Sequence, residues 1–307
     1  MQDLHDSFDL SMTDLNRADW TDALQGLARQ HGFFERLGAR HIAAHIKGNT
    51  TLVVTFESRQ GIQALSDNGQ PLGFELVKAN GWSHLALVSE GDTWFRDGSV
   101  YGFFDRLTDE GFFDTFDDVL FYGAGPCGYA ACAFSVAAPG ALVLAIQPQA
   151  TLEPRVSGWD ERFIDFRMLD FTTRYGYAPD MIDAAQHAYI LFDPRQALDA
   201  MHAALFRASN VTMLRAPFLG AALQSSLLDM ALFFRILTRA GTRTLTPHWF
   251  YAMLRTRRNY PPYLRALMTE LERDDRQELL ETLCVNVTSR MKAPRFRRKL
   301  EELRAAQ

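Results

Sequence analysis

Cysteine is scarce. Only Cys127, Cys132 and Cys284 occur in 307 residues, and no two of them form a CxxC pair. So few thiols at such spacing supply no disulfide framework, and a reducing, cytoplasmic compartment is expected. Metal motifs are missing as well: the eight histidines include no HExxH, and His41 and His45, four residues apart, have no carboxylate between them. Core or surface roles are expected for both, and no metal site. Cations are outnumbered, with 32 Lys and Arg against 37 Asp and Glu and a net charge of −5. That balance argues against nucleic acid as the partner of the whole surface. The opening also lacks the basic stretch of a secretory signal, since Asp3, Asp6, Asp9, Asp14, Asp19 and Asp22 face Arg17 alone.

What is present is ordinary globular composition, with 47% hydrophobic and 22% charged residues. The pattern predicts an acidic helical lead-in over residues 1–40, an α/β domain over 41–240 and a helical appendage over 241–307. In the lead-in, Trp20, Leu24, Leu27, Phe34 and Leu37 are spaced as a helical stripe. Six strands are then expected, in LVVTF from about Thr51, at His84 to Val88, Val119 to Tyr122, Leu142 to Ile146, Ala188 to Phe192 and Val211 to Leu214. Helical stretches between most of them are long enough for parallel crossovers, which predicts a mostly parallel sheet flanked by helices. The charge-free run from Val119 to Leu152 has the length of a membrane span. Gly123, Gly125, Pro126, Gly128, Pro139 and Gly140 break it, so it reads as a buried strand, helix and strand, with no membrane span expected.

The chemistry turns on Gly123-Ala124-Gly125-Pro126-Cys127-Gly128, which follows one strand and opens a helix. Taken as G-x-G-x-x-G, it resembles the start of a flavoprotein and would offer helix amides to the pyrophosphate of FAD or NAD. The acid expected at the end of the next strand is Gln147, however, and at least two strands precede the turn. No flavin or nicotinamide cofactor is therefore expected. A phosphoadenosine-phosphosulfate reductase would need an SGGxDS-type loop and a late cysteine in an ECGLH-like setting. Neither is present, and Cys284 lies in LCVNV.

The same turn resembles the nucleophile elbow of the α/β-hydrolase superfamily, whose pattern is G-x-S-x-G. Relatives ending this strand in Y-G-S-S-M-G-G-Y-A-A are matched by Tyr122 through Ala131, and the likeness continues through Pro148-Gln149, Asp193-Pro194, Asp199 and His202. It covers about Thr51 to Leu237. Carried over by position, the resemblance implies a degenerate triad: Gly125 for the nucleophile, Asp193 for the acid and Ala221 for the base. Such a protein would act by binding a small molecule or another protein, with Asp193 exposed or held by nearby amides or Arg195.

The rival is a hydrolase or acyltransferase using Cys127, whose thiol on the first turn of a helix would feel positive partial charge. A pocket is expected from Trp94, Arg96, Gly123, Pro126 and Gln149, with Arg96 suited to an anionic group. Near the end of the chain, Arg290, Lys292, Arg295, Arg297, Arg298 and Lys299 form a basic patch that reads as a solvated face, and the segment from Pro294 onward is expected to carry little core.

Overall fold

The apolar runs of the sequence lie side by side as strands of one sheet. The structure, a computed structural model, describes residues 10–305. All six expected strands form: β3 (Thr51–Ser58), β4 (Ser83–Ser89), β5 (Asp118–Ala124), β6 (Leu142–Ile146), β7 (His187–Phe192) and β8 (Val211–Arg215). They are joined by two that were not expected, β1 (Gly32–Leu37) and β2 (His41–Ile46). The order across the sheet is β1-β2-β4-β3-β5-β6-β7-β8; the pairs β1–β2 and β2–β4 are antiparallel and the other five are parallel. The fold is therefore α/β, with a mostly parallel sheet of eight strands flanked by helices.

The helical reading of the lead-in needs correction. Trp20, Leu24 and Leu27 are buried on helix α1 (Arg17–His31), but Phe34 and Leu37 lie on β1. The helix stops because the chain must turn at Gly32, where a Cβ would lie 2.2 Å from the His45 carbonyl oxygen. Pairing with β2, rather than local propensity, makes this segment a strand, and the Phe33 ring stacks on His45 at 5.0 Å. Of the acidic residues of the lead-in, Asp3, Asp6 and Asp9 lie outside the described residues.

Alternation along the strands divides the core between two faces. On β4, Leu85 and Leu87 join the larger cluster, while Ala86 and Val88 join the cluster built on Trp20 and Leu24 of α1. Between strands run α2 (Arg59–Leu65), α3 (Gly73–Asn80), α4 (Gly98–Asp109), α5 (Pro126–Phe134) and α6 (Ala197–Ala203). After β8 come α7 (Leu223–Asp229), α8 (Phe233–Gly241) and α9 (Pro247–Leu254). The charge-free run is β5, α5 and β6, and no helix among the described residues is long and apolar enough to cross a membrane.

The chain divides into two compact units between Met253 and Leu254 rather than after residue 240. Residues just past 240 remain tied to the sheet, as the Tyr189 hydroxyl donates to the Leu245 carbonyl at 2.9 Å. The second unit holds α10 (Pro261–Arg273), α11 (Gln277–Arg290) and α12 (Pro294–Ala305) around Leu264, Met268, Leu280, Cys284, Val287 and Phe296. Phe296 is buried there, so the basic segment does carry core, contrary to the sequence expectation. Phe296→Ala is expected to destabilise this unit by about 3 kcal/mol in urea denaturation followed by helical circular dichroism. An unchanged transition would mean that α12 contributes nothing to the unit.

Candidate functional site

In an open parallel sheet, ligands bind where the connections leaving two neighbouring strands diverge. Here that point lies between β3 and β5: the chain leaves β3 toward β4 on one side and leaves β5 toward β6 on the other. The Gly-rich turn stands at this place. Gly125 adopts φ 56°, ψ −127°, and Pro126 occupies the first helical position of α5, where its missing N–H costs nothing. A Cβ on Gly123 would fall 2.0 Å from the Cys127 carbonyl oxygen, so the turn closes only with glycine there. A Cβ on Gly125 would meet nothing within 4 Å. This is a strained strand-to-helix turn whose apex faces open space and carries no side chain.

Asp193, expected from the sequence at the acid position, is held by backbone amides. Asp193 follows β7 directly and is 1% exposed. One carboxylate oxygen accepts the Arg195 N–H at 2.9 Å and the other accepts the Gly220 N–H at 2.7 Å. The second bond brings the loop after β8 to the carboxylate, so Ala221 is adjacent in sequence to a group that touches it. Gln147 adds another tie: its side-chain NH2 donates to Asp199 at 2.6 Å, and its side-chain oxygen accepts the Leu223 N–H at 3.2 Å. The residue standing where a ribose-binding acid was sought thus serves the loop.

Beside the turn lies a small chamber of about 90 Å³, lined in part by Glu57, Ser58, Tyr122, Ala124, Cys127 and Gln224. Glu57 is buried at the end of β3, accepting the Leu72 N–H at 3.0 Å and the Thr55 hydroxyl at 2.7 Å. Burial pushes its carboxyl up to about 7. Because Thr55 spends its proton on Glu57, it accepts from His84 Nε2 at 2.9 Å, which places a proton on Nε2. Burial holds His84 down at about 3. The Tyr122 hydroxyl, on a residue only 1% exposed, has no hydrogen-bond partner among the described residues. Cys127 does not behave as an activated nucleophile: burial pushes its thiol up, and the charges of Glu57 and Asp92 push the same way. Desolvation and like charge outweigh the partial charge of the helix terminus.

Leu65 and Leu72 also line a larger cleft of about 840 Å³, whose apolar wall is completed by Leu228, Phe233 and Phe234. Its lining includes Asp67, Glu75 and Asp229 and no Lys or Arg. The chamber and cleft together were not foreseen. Their one sequence signal is Glu57, an acid near the end of an otherwise apolar strand.

The expected pocket is only partly assembled. Gly123 and Pro126 lie at the turn, but Trp94, Arg96 and Gln149 are buried. Trp94 packs among Tyr129, Phe163 and Phe171 at ring distances of 5.0 to 5.9 Å. Arg96 donates to the carbonyls of Asp170 at 2.7 Å and Arg174 at 2.6 Å, with its guanidinium 5.0 Å from the Tyr101 ring. Its Nε and Nη1 anchor the long connection between β6 and β7, which covers it, while its buried Nη2 has no hydrogen-bond partner among the described residues. Gln149 donates to the Gln147 carbonyl at 3.2 Å.

Asp160, in that connection, is paired with His202 of α6. His202 Nδ1 accepts the Ala150 N–H at 3.1 Å, so Nε2 carries the proton and donates to Asp160 at 3.0 Å. Both ring nitrogens are engaged and the pair is buried, which leaves no lone pair for a general base. Arg162 joins Asp160 at 2.8 Å to Asp199 at 2.7 Å and closes the network.

Fold and site define an α/β protein with a cleft at the divergence point of a mostly parallel sheet. No family model and no curated protein sequence matches the chain. Among solved structures it is similar to Est1E from Butyrivibrio proteoclasticus (12% identity, TM-score 0.42, covering 67% of this chain and 97% of that one). Similar too are mouse alpha/beta hydrolase domain-containing protein 10 (12%, 0.41, 69% and 98%) and a hyperthermophilic esterase from Pyrobaculum calidifontis (13%, 0.41, 82% and 96%).

Glu57 generates a pH prediction. A carboxyl raised from 4.5 to about 7 in the folded protein favours folding while protonated. That contribution is complete below pH 4.5 and is lost as pH rises through 7, a change of up to roughly 3 kcal/mol. Glu57→Gln should flatten this part of the stability profile in denaturation measured from pH 5 to pH 8. An unaltered slope would show that Glu57 is ionised throughout.

Proposed function

We propose that this chain is a catalytically degenerate α/β-hydrolase-like protein that works by binding. The observation that carries the reading is Asp193, whose two oxygens are both committed to backbone amides. Gly125 offers no nucleophile at the apex of the turn, and Ala221 offers no base beside the acid. Asp193 then acts as a clamp on the loop after β8, holding one side of the cleft in place.

The cleft suits a small molecule with an apolar body. Leu65, Leu72, Leu228, Phe233 and Phe234 would cover that body, while the lining acids favour a neutral or cationic ligand over an anion. The Tyr122 hydroxyl in the inner chamber is a free donor for a polar end group. Three cysteines outside any disulfide fit the reducing cytoplasmic setting expected from the sequence.

The half-buried thiol of Cys127, whose surroundings push its pKa up and disfavour the thiolate, supports this reading over a cysteine-dependent hydrolase. Incubation with a fluorophosphonate probe and a panel of short acyl esters is expected to give neither covalent labelling nor turnover. Labelling, or ester turnover abolished by Cys127→Ala or Asp193→Asn, would overturn the proposal.

A further inference from the structure

The second unit separates its charge along its length. From Leu254 onward the chain carries 13 of the 32 cations but only 8 of the 37 acids, so a net-negative protein ends in a net-positive unit. Nine of those cations lie in residues 255–265 and 290–298, two segments with no acidic residue. Connections of three residues join α10 to α11 and α11 to α12, and side-chain contacts fix which ends meet. Arg290, at the end of α11, donates to the Asn259 side chain at 2.6 Å and to the Arg258 carbonyl at 3.1 Å, just before α10 begins. The start of α10, the end of α11 and the start of α12 therefore form one pole.

At the other pole the acids neutralise their neighbours. Lys299 meets Glu272 at 3.0 Å, Arg304 meets Glu281 at 3.5 Å, and Arg273 pairs with Glu270 and Asp274. At the cationic pole, Arg255, Arg258, Lys292, Arg295 and Arg297 are exposed and form no ion pair among the described residues. Two helix N-termini, at Pro261 and Pro294, add positive partial charge there against one C-terminus. Five unneutralised cations at one end of a small unit repel one another unless an anion is bound between them.

We infer that this pole binds the phosphodiester backbone of a nucleic acid, without reading its sequence. Four of the five cations are arginines, whose planar donors match phosphate oxygens two at a time. A membrane surface fits less well, because such surfaces are held by cations together with apolar anchors. The exposed large apolar side chains of this unit, Leu279 and Val285, lie along α11 and not at the pole. The acidic remainder of the chain confines contact to this end, so binding should be weak and strongly salt-dependent.

The test uses the full chain, a fluorescein-labelled 20-nucleotide single strand and its duplex, with fluorescence anisotropy read from 50 to 200 mM salt. Five phosphate contacts on a single strand predict a slope near −3.5 in log–log form, roughly a hundredfold loss of affinity over that range. Arg255→Gln/Arg258→Gln/Lys292→Gln should weaken binding at 50 mM salt at least tenfold and reduce the slope by about 2. The paired-pole control Arg273→Gln/Arg304→Gln should leave both unchanged, with circular dichroism confirming that each variant is folded. The inference is overturned if neither strand nor duplex binds at 50 mM salt, if the control weakens binding as much, or if phosphatidylserine vesicles bind while both nucleic acids do not.

Discussion

Two hydrogen bonds accepted by the Asp193 carboxylate fix the edge of the sheet on which the site is built. The bond to Arg195 N–H closes the turn after β7, and the bond to Gly220 N–H reaches across to the loop after β8. A carboxylate buried to this degree is tolerated only when its oxygens are occupied, and a charge-assisted bond to an amide is among the stronger ways to do so. Gln147 holds the same loop from β6, so three strand ends share one fastening. The cleft wall formed by Leu228, Phe233 and Phe234 begins just beyond that fastened loop.

The Gly-rich turn imposes the complementary constraint from the middle of the sheet. Gly123 is required because α5 returns so close to β5 that a single methyl would enter the Cys127 carbonyl. Gly125 is under no such pressure from its surroundings: its positive φ is the only demand, and space is left beyond it. The turn carries no side chain at Gly125, and the chamber next to it is governed by a buried acid, a neutral imidazole and a phenol without a hydrogen-bond partner among the described residues.

Much of this was legible in the residues. Five of the six expected strands are apolar runs buried inside the sheet, and only the edge strand β8 is partly exposed. The edge hairpin was not legible, because GFFERL and HIAAHI carry weak local signals and become strands through pairing with β4. The amides around Asp193 follow from the cost of burying a bare carboxylate, which the sequence reading of that position already implied. Trp94 and Arg96 were misplaced, since their burial depends on the course of a long irregular connection that no periodicity records. At Cys127 two local signals compete, a helix position that suggests a reactive thiol and apolar surroundings that suggest a packed one; burial, with the charge of Glu57 adding to it, pushes the thiol up.

Amide hydrogen exchange at Gly220, measured by NMR in the wild type and in Asp193→Ala, tests the central claim most directly. If Asp193 is a structural clamp, the Gly220 amide is strongly protected despite lying in a loop, and the variant brings it to the rate of a solvent-exposed amide while the central strands remain protected. Rapid exchange at Gly220 in the wild type would contradict the account, because it would leave the Asp193 carboxylate free for another partner.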